Sequence, residues 1–276
     1  MNPELEKKLI EDLEKSGFSS ELRAIRTFLS CEWGCTGFAN YFDLDEEKIR
    51  GVDLLAIQAS EEVLSNGVFV RAEFLIVGEV KKSQKPWILF KENRHYIIDD
   101  YVNNLVYLCD PRPPYSFKDA MAQDSLYKKF GWTAYGIHES FKDPDAQARS
   151  YSALITVSKA AESILETYSA AYKEQEQHAK DSGEKLTERI LQFVKPIIIL
   201  DGLLVAASLK ENGEIALEEV KYAPIEFHFK SKGCRKGTYL VDIVTLDNLK
   251  EYIEISEKRR QTMLDRIKSL ADKSAT

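Results

Sequence analysis

The chain has 276 residues, 44% of them hydrophobic and 30% charged, the balance of a soluble globular protein able to bury a sizeable core in one large or two small domains. No apolar run approaches the ~20 residues that span a bilayer, and Met1-Asn2-Pro3-Glu4-Leu5-Glu6 lacks the basic and apolar regions of a secretory signal. An intracellular, cytoplasmic protein without a membrane partner is expected, and the net charge of −7 weighs against a broad nucleic-acid-binding surface unless basic residues cluster locally.

The chain opens with helices. Leu5, Leu9, Ile10 and Leu13 recur at helical spacing, and Ser20 is placed to cap a second helix running from Glu21 toward Leu29. Strands are expected at Trp33 to Phe42, Gly51 to Ala59, Val68 to Lys82 and Trp87 to Phe90, with Asn66-Gly67 as a hairpin turn. From Arg94 to Ser150 the pattern turns irregular. Asp110-Pro111-Arg112-Pro113-Pro114 breaks any helix, and the stretch reads as an insertion into the core fold, either a recognition or lid element or a packed excursion over one sheet face.

Apolar residues from Leu154 to Tyr172 indicate a long helix over Tyr151 to His178. Phe193 to Leu200, almost uniformly apolar, reads as a strand buried on both faces, placed centrally. Asp201-Gly202 is a turn, Leu203 to Leu209 a strand, Asn212-Gly213 a turn, Ala216 to Lys230 an alternating strand and Tyr239 to Thr245 a short one. Leu246 to Leu270 closes the chain as a helix, with Leu249, Tyr252, Ile253, Ile255, Met263, Leu264 and Ile267 as its apolar positions. The fold class expected is α/β, one domain over residues 1–276, with a mixed central sheet flanked by helices and an insertion at 94–150.

Chemistry concentrates at Phe74-Leu75-Ile76-Val77-Gly78-Glu79-Val80-Lys81, where Glu79 and Lys81, two apart on a strand, project together while Val80 faces the core. Asp53 heads a second strand-like run, and a hairpin joining the two brings its carboxylate beside Glu79. Mg²⁺ or Mn²⁺ takes hard oxygen ligands, and Asp53, Glu79 and the Val80 carbonyl are candidates to supply them. Lys81 would orient an attacking water or stabilise developing negative charge.

These positions resemble the PD-(D/E)XK nuclease superfamily, the restriction-endonuclease-like fold. In such chains a helix bearing a glutamate precedes a turn, a strand, a Tyr-x-Asp, a basic stretch and the metal-binding aspartate. This one reads Ser20-Glu21-Leu22-Arg23, Trp33-Gly34, Tyr41-Phe42-Asp43, Lys48-Ile49-Arg50-Gly51-Val52-Asp53 and Lys85-Pro86-Trp87. Gly51 departs from the acidic residue common two positions before the aspartate. The resemblance implies metal-dependent phosphodiester hydrolysis, DNA ahead of RNA, in restriction, repair or phage defence, with Glu21 an additional ligand or its partner and a homodimer or partner subunit conceivable. The alternative is a catalytically inactive nuclease-fold module for nucleic-acid or protein binding.

Two basic clusters offer phosphate contacts: Lys82, Lys85, Lys91 and Arg94 after the site, and Lys230, Lys232, Arg235 and Lys236 around Gly233-Cys234, where an exposed hairpin is the plainer reading. Cys31, Cys35, Cys109 and Cys234 form no zinc pattern, and His95, His138, His178 and His228 stand at no ligand spacing from one another. No phosphate-loop or dinucleotide-binding glycine signature is present.

Overall fold

The β-branched and aliphatic runs of the chain assemble into one mixed sheet with helices on both faces. The computed structural model describes residues 1–65, 67–92, 105–109, 132–141, 148–184, 186 and 188–272. Helices α1 (Pro3–Ser16) and α2 (Phe18–Ser30) lead into strands β1 (Gly34–Asp43), β2 (Lys48–Val63), β3 (Phe69–Lys82), β4 (Trp87–Glu92), β5 (Val106–Cys109) and β6 (Thr133–Glu139). Helix α3 (Arg149–Ser182) follows, then β7 (Glu188–Asp201), β8 (Leu204–Leu209), β9 (Ile215–Glu219), β10 (Tyr222–His228) and β11 (Thr238–Thr245). A short 3₁₀ turn (Leu246–Asn248) leads into helix α4 (Leu249–Asp272). None of the helices among the described residues is long and apolar enough to cross a membrane.

Among the described residues the sheet runs β1-β2-β3-β7-β11-β10-β6-β4-β8-β9, with β5 paired to β7 off that path. β1, β2 and β3 form an antiparallel meander, and β3 then lies parallel to β7 along its whole length, Phe69 opposite Glu188 and Lys82 opposite Asp201. On its other edge β7 pairs with β5 over Ile190–Phe193 and with β11 over Ile197–Leu200. Pro196, with no N–H to give, falls between those two paired stretches, which is where a central strand tolerates it.

Alternation divides the core. Phe74, Ile76, Val80, Phe193, Ile197 and Ile199 pack with Phe28 of α2 and Leu249, Tyr252, Ile253 and Leu264 of α4. Leu75, Val77, Val194, Ile198 and Leu200 pack on the opposite face with Leu154, Val157, Ala161 and Ile164 of α3. Both faces of β3 and β7 are therefore covered, the arrangement that near-continuous apolar runs require.

Several expectations change. Ser20 does not cap α2; Gly17, at φ 93°, ends α1 and begins α2, and Ser20 sits fully buried inside the helix, its hydroxyl committed to a tertiary bond described below. β2 is longer than the apolar stretch, because pairing with β1 carries it back to Lys48 and pairing with β3 carries it through Ser60, Glu61 and Glu62 to Val63. The stretch from Arg94 to Ser150 contributes to the sheet itself: β5 joins β7, and β6 lies between β4 and β10. The remainder of that stretch, with Arg94, His95 and Pro111, lies outside the described residues, as do Asn66 of the expected hairpin and the side chains of Met263 and Ile267. The expected strand from Ala216 to Lys230 divides in two, since β9 pairs with β8 whereas β10 moves across to β11.

Gly202, just past β7, is fixed by close approach: a Cβ there would lie 2.5 Å from the Ser83 carbonyl oxygen, and backbone cannot swing aside as a side chain can. Gly202→Ala should therefore lower stability by about 1–3 kcal/mol, read as a reduced urea midpoint with unchanged m-value.

Candidate active site

The site begins where a ladder ends. The β2–β3 pairing runs from Val63↔Phe69 to Leu54↔Gly78, and the next step of the same register would set Asp53 across from Glu79. On its other edge β2 pairs with β1 at Leu54↔Gly37 and Val52↔Ala39, skipping the Asp53–Phe38 step. Phe38 has φ 54°, the left-handed region that costs a side-chain-bearing residue about 1–2 kcal/mol. A regular strand would send residues 52 and 54 to one face. Here Leu54 enters the core under α2 and Val52 the core under α3, so the strand twists at Asp53.

That twist leaves the Asp53 carboxylate facing the edge of β3. The Val80 N–H donates to Asp53 Oδ2 at 2.7 Å, replacing the backbone acceptor that a continued ladder would have offered. A residue's N–H and C=O leave an extended strand toward the same side, so the Val80 carbonyl also points to the Asp53 side. Glu79 and Lys81 project together from β3. Lys81 Nζ donates to Glu79 Oε2 and lies 3.7 Å from Asp53 Oδ2.

Glu21 comes from the other direction, on the first turns of α2. Its Oε2 is buried and has no hydrogen-bond partner among the described residues. Burial raises the Glu21 carboxyl above its ordinary range and the nearby charge of Asp53 adds to this, while Lys81 pulls the other way. Burial likewise pushes Glu79 up to about 7, Lys81 opposing and Asp53 and Glu21 reinforcing. Burial works against the Lys81 ammonium, but Glu79 and Asp53 outweigh it and the amine is held above its ordinary value. Asp53, Glu79, Lys81 and Glu21 are thus within electrostatic reach of one another, three carboxylates around one ammonium.

The donor chemistry fits a divalent cation. Hard oxygens outnumber the local positive charge, one of them is buried without a partner among the described residues, and two carboxyls are raised above their ordinary range, which a nearby cation would oppose. Among the described residues no group of three His, Cys, Asp or Glu side chains is placed to hold a metal ion by itself. The cysteines stand apart from this chemistry: burial holds the Cys35 and Cys234 thiols up at about 11.

The basic residues are largely engaged. Lys82 reaches the carbonyl of Glu14 at 2.8 Å and its carboxylate at 3.1 Å, Lys85 donates to the Phe141 carbonyl, and Lys91 lies 3.6 Å from Glu218 and over the Trp132 ring. In the second cluster Arg235 bonds Glu166 at 2.6 Å and lies 3.5 Å from Glu162, Lys232 lies 3.6 Å from Glu47, and the Lys236 backbone N–H donates to Glu162. Lys230 is exposed. This hairpin is fastened by Asp45, which accepts from Ser231 (2.6 Å) and from Gly233 N–H (3.2 Å) and pairs with Lys159 of α3 (2.7 Å). Burial works against the Asp45 charge, but these partners outweigh it and hold the carboxyl at about 2.

Two residues around the site carry more than their sequence signal. Tyr41 is buried, its hydroxyl pushed up first by burial and then by the negative charges of Asp43 and Glu79, whereas Asp43 pairs with Lys159 of α3 at 3.0 Å. Asp201, legible only as a turn residue, bonds Ser20 and approaches Arg23. No family model, no curated protein and no solved structure matches this chain.

Glu79 generates a pH dependence whose sign is fixed. Its ordinary value is 4.5 and its folded value about 7, so across that interval the folded protein keeps a proton that the unfolded chain has released, and stability falls as pH rises. Glu21 is shifted in the same direction. In EDTA, thermal melts from pH 4.5 to 8 should show wild type declining more steeply than Glu79→Gln, whose residual slope reports Glu21. Superimposable profiles would remove Glu79 as the titrating group.

Proposed function

We propose that this protein is a metal-dependent nuclease of the restriction-endonuclease-like kind, hydrolysing phosphodiesters of nucleic acid, with DNA ahead of RNA. The observation that carries the reading is the meeting of Asp53, Glu79 and Lys81 at the open end of the β2–β3 ladder, with the partnerless Glu21 oxygen beside them. The resemblance in motif order supports it.

Asp53, Glu79 and the Val80 carbonyl would hold Mg²⁺ or Mn²⁺, with Glu21 adding an oxygen. Bound there, the cation supplies Lewis-acid charge neutralisation and an acidified water. The chain's own residues do the rest. Release of Lys81 from Glu79 frees an ammonium on a buried strand, where a hydrogen bond to water or to a non-bridging phosphate oxygen acts in a low dielectric. Val80 N–H fixes one Asp53 oxygen and leaves the other for a ligand. Lys82, next along β3, reaches phosphate by exchanging its exposed pair with Glu14.

The test is cleavage of plasmid, linear and single-stranded DNA and of RNA with Mg²⁺ or Mn²⁺. Lys81→Ala should lower the rate about 100- to 1,000-fold, the range for removing one preorganised donor, while melting as a folded protein. Full activity in that variant refutes the assignment. Asp53→Asn keeps an acceptor for Val80 N–H but loses the charge, so it should remain folded and lose the rise in melting temperature that Mg²⁺ gives wild type. A wild type that neither cuts nor gains stability from metal is instead a binding module.

A further inference from the structure

Among the described residues the buried Glu21 oxygen has no hydrogen-bond partner, yet under the nuclease reading it must face Asp53 and Glu79; Ala24 and Phe28 seat the later turns of α2 in the core, which leaves its first turn to be held. Among the described residues α1 buries no side chain, and α2 begins at Gly17 with no side-chain cap. Phe18 packs against Phe38 of β1, ring centroids 6.0 Å apart, and the side-chain polar tie from this turn to the sheet is the Asp201 carboxylate. Asp201 ends β7 opposite Lys82, so it stands one strand away from the Glu79–Lys81 pair. Its Oδ2 accepts from the hydroxyl of Ser20, itself fully buried, and its Oδ1 lies 3.8 Å from Arg23 Nη1. Ser20 and Arg23, three apart, share a helix face and bracket Glu21.

The base of this tether is rigid. The Asp201 carbonyl accepts from Ser83 N–H at 3.0 Å, and Gly202 packs so closely on Ser83 that no side chain fits. Arg23 extends the tie to Asp247, at 3.0 Å, just past β11. From these contacts we infer that Asp201 is the positioning residue of the cluster. With Ala24 and Phe28 packed in the core, it fixes the setting of the first turn of α2, and through that the direction of the Glu21 carboxylate, while touching neither metal nor substrate. The inference rests on the nuclease reading for its consequence and on the Ser20–Asp201–Arg23 contacts for its geometry.

Supporting groups of this sort change metal affinity or activity by about 10- to 100-fold. Asp201→Ala should raise the Mg²⁺ concentration for half-maximal cleavage about tenfold or more in wild type and produce no further change in a Glu21→Gln background, because both act through one carboxylate. Asp201→Asn, which retains an acceptor for Ser20, should recover most of the loss. Equal losses from Asp201→Ala in both backgrounds, or an unaltered Mg²⁺ dependence in the folded variant, overturns the inference.

A second readout separates this from failure of the nuclease reading. In metal-free protein, amide hydrogen exchange at Ser20 and Glu21, whose N–H groups donate to the Gly17 carbonyl, should quicken in Asp201→Ala while β3 and β7 keep wild-type protection. If wild type cleaves nothing, the nuclease reading fails and the exchange data alone decide the tether. Unchanged exchange at Ser20 and Glu21 refutes it.

Discussion

The Val80 N–H is the donor on which this site is built. In the interior of a sheet an orphaned N–H costs about 1–3 kcal/mol, and the strand that should have satisfied it turns away at Asp53. The carboxylate takes over at 2.7 Å. This substitution of side chain for backbone puts a negative charge in line with a central strand, at the one step where neither β1 nor β3 pairs with β2. The left-handed Phe38 lies opposite, strain of the kind that persists only where surrounding structure imposes it. The twist, the strain and the ladder's end are one feature seen from three strands.

Electrostatics follows from that placement. Once Asp53 is anchored, the buried Glu79 stands beside it with Glu21 within electrostatic reach, and two like charges about 4 Å apart repel by roughly 4 kcal/mol at an effective dielectric of 20. One ammonium cannot offset three such groups. The excess appears as carboxyls raised above their ordinary range at Glu79 and Glu21, and under the proposed reading a divalent cation would offset it. Under the proposed reading the raised carboxyls and the binding of a divalent cation would share one origin, the excess of negative charge.

Much of this was legible in the sequence, for identifiable reasons. The strand bearing Glu79 and Lys81 is a long apolar run, and the period of two assigns both to one face whatever the tertiary context. The β7 run is legible in the same way, because a strand buried on both faces has no alternation to misread. Glu21 could be found only through the order of motifs, since a glutamate on an amphipathic helix is otherwise unremarked. Ser20 misled: serine before an apolar run is a strong capping signal, and only the packed structure shows that Gly17 does the capping and that the hydroxyl goes to Asp201, far away in sequence. The strands of the 94–150 stretch were hidden for a related reason. Its short strands are defined by their partners β4, β7 and β10 and carry too little periodicity of their own.

The same distinction between exposed and buried pairs sorts the cations. Lys82 with Glu14, Lys91 with Glu218 and Arg235 with Glu166 hold their charges at partly exposed positions, where an ion pair contributes about 0–1 kcal/mol and exchanges readily for a stronger anion. Lys81 differs, because its partner Glu79 is almost wholly enclosed and moving the ammonium away without replacement would strand a buried charge. A polyanion can therefore claim the outer lysines one by one at little cost, whereas Lys81 turns from Glu79 only when something positive takes its place. Under the proposed reading, metal entry is thus coupled to the release of the lysine that acts on phosphate, and an acidic chain can hold that lysine in reserve without a broad basic surface.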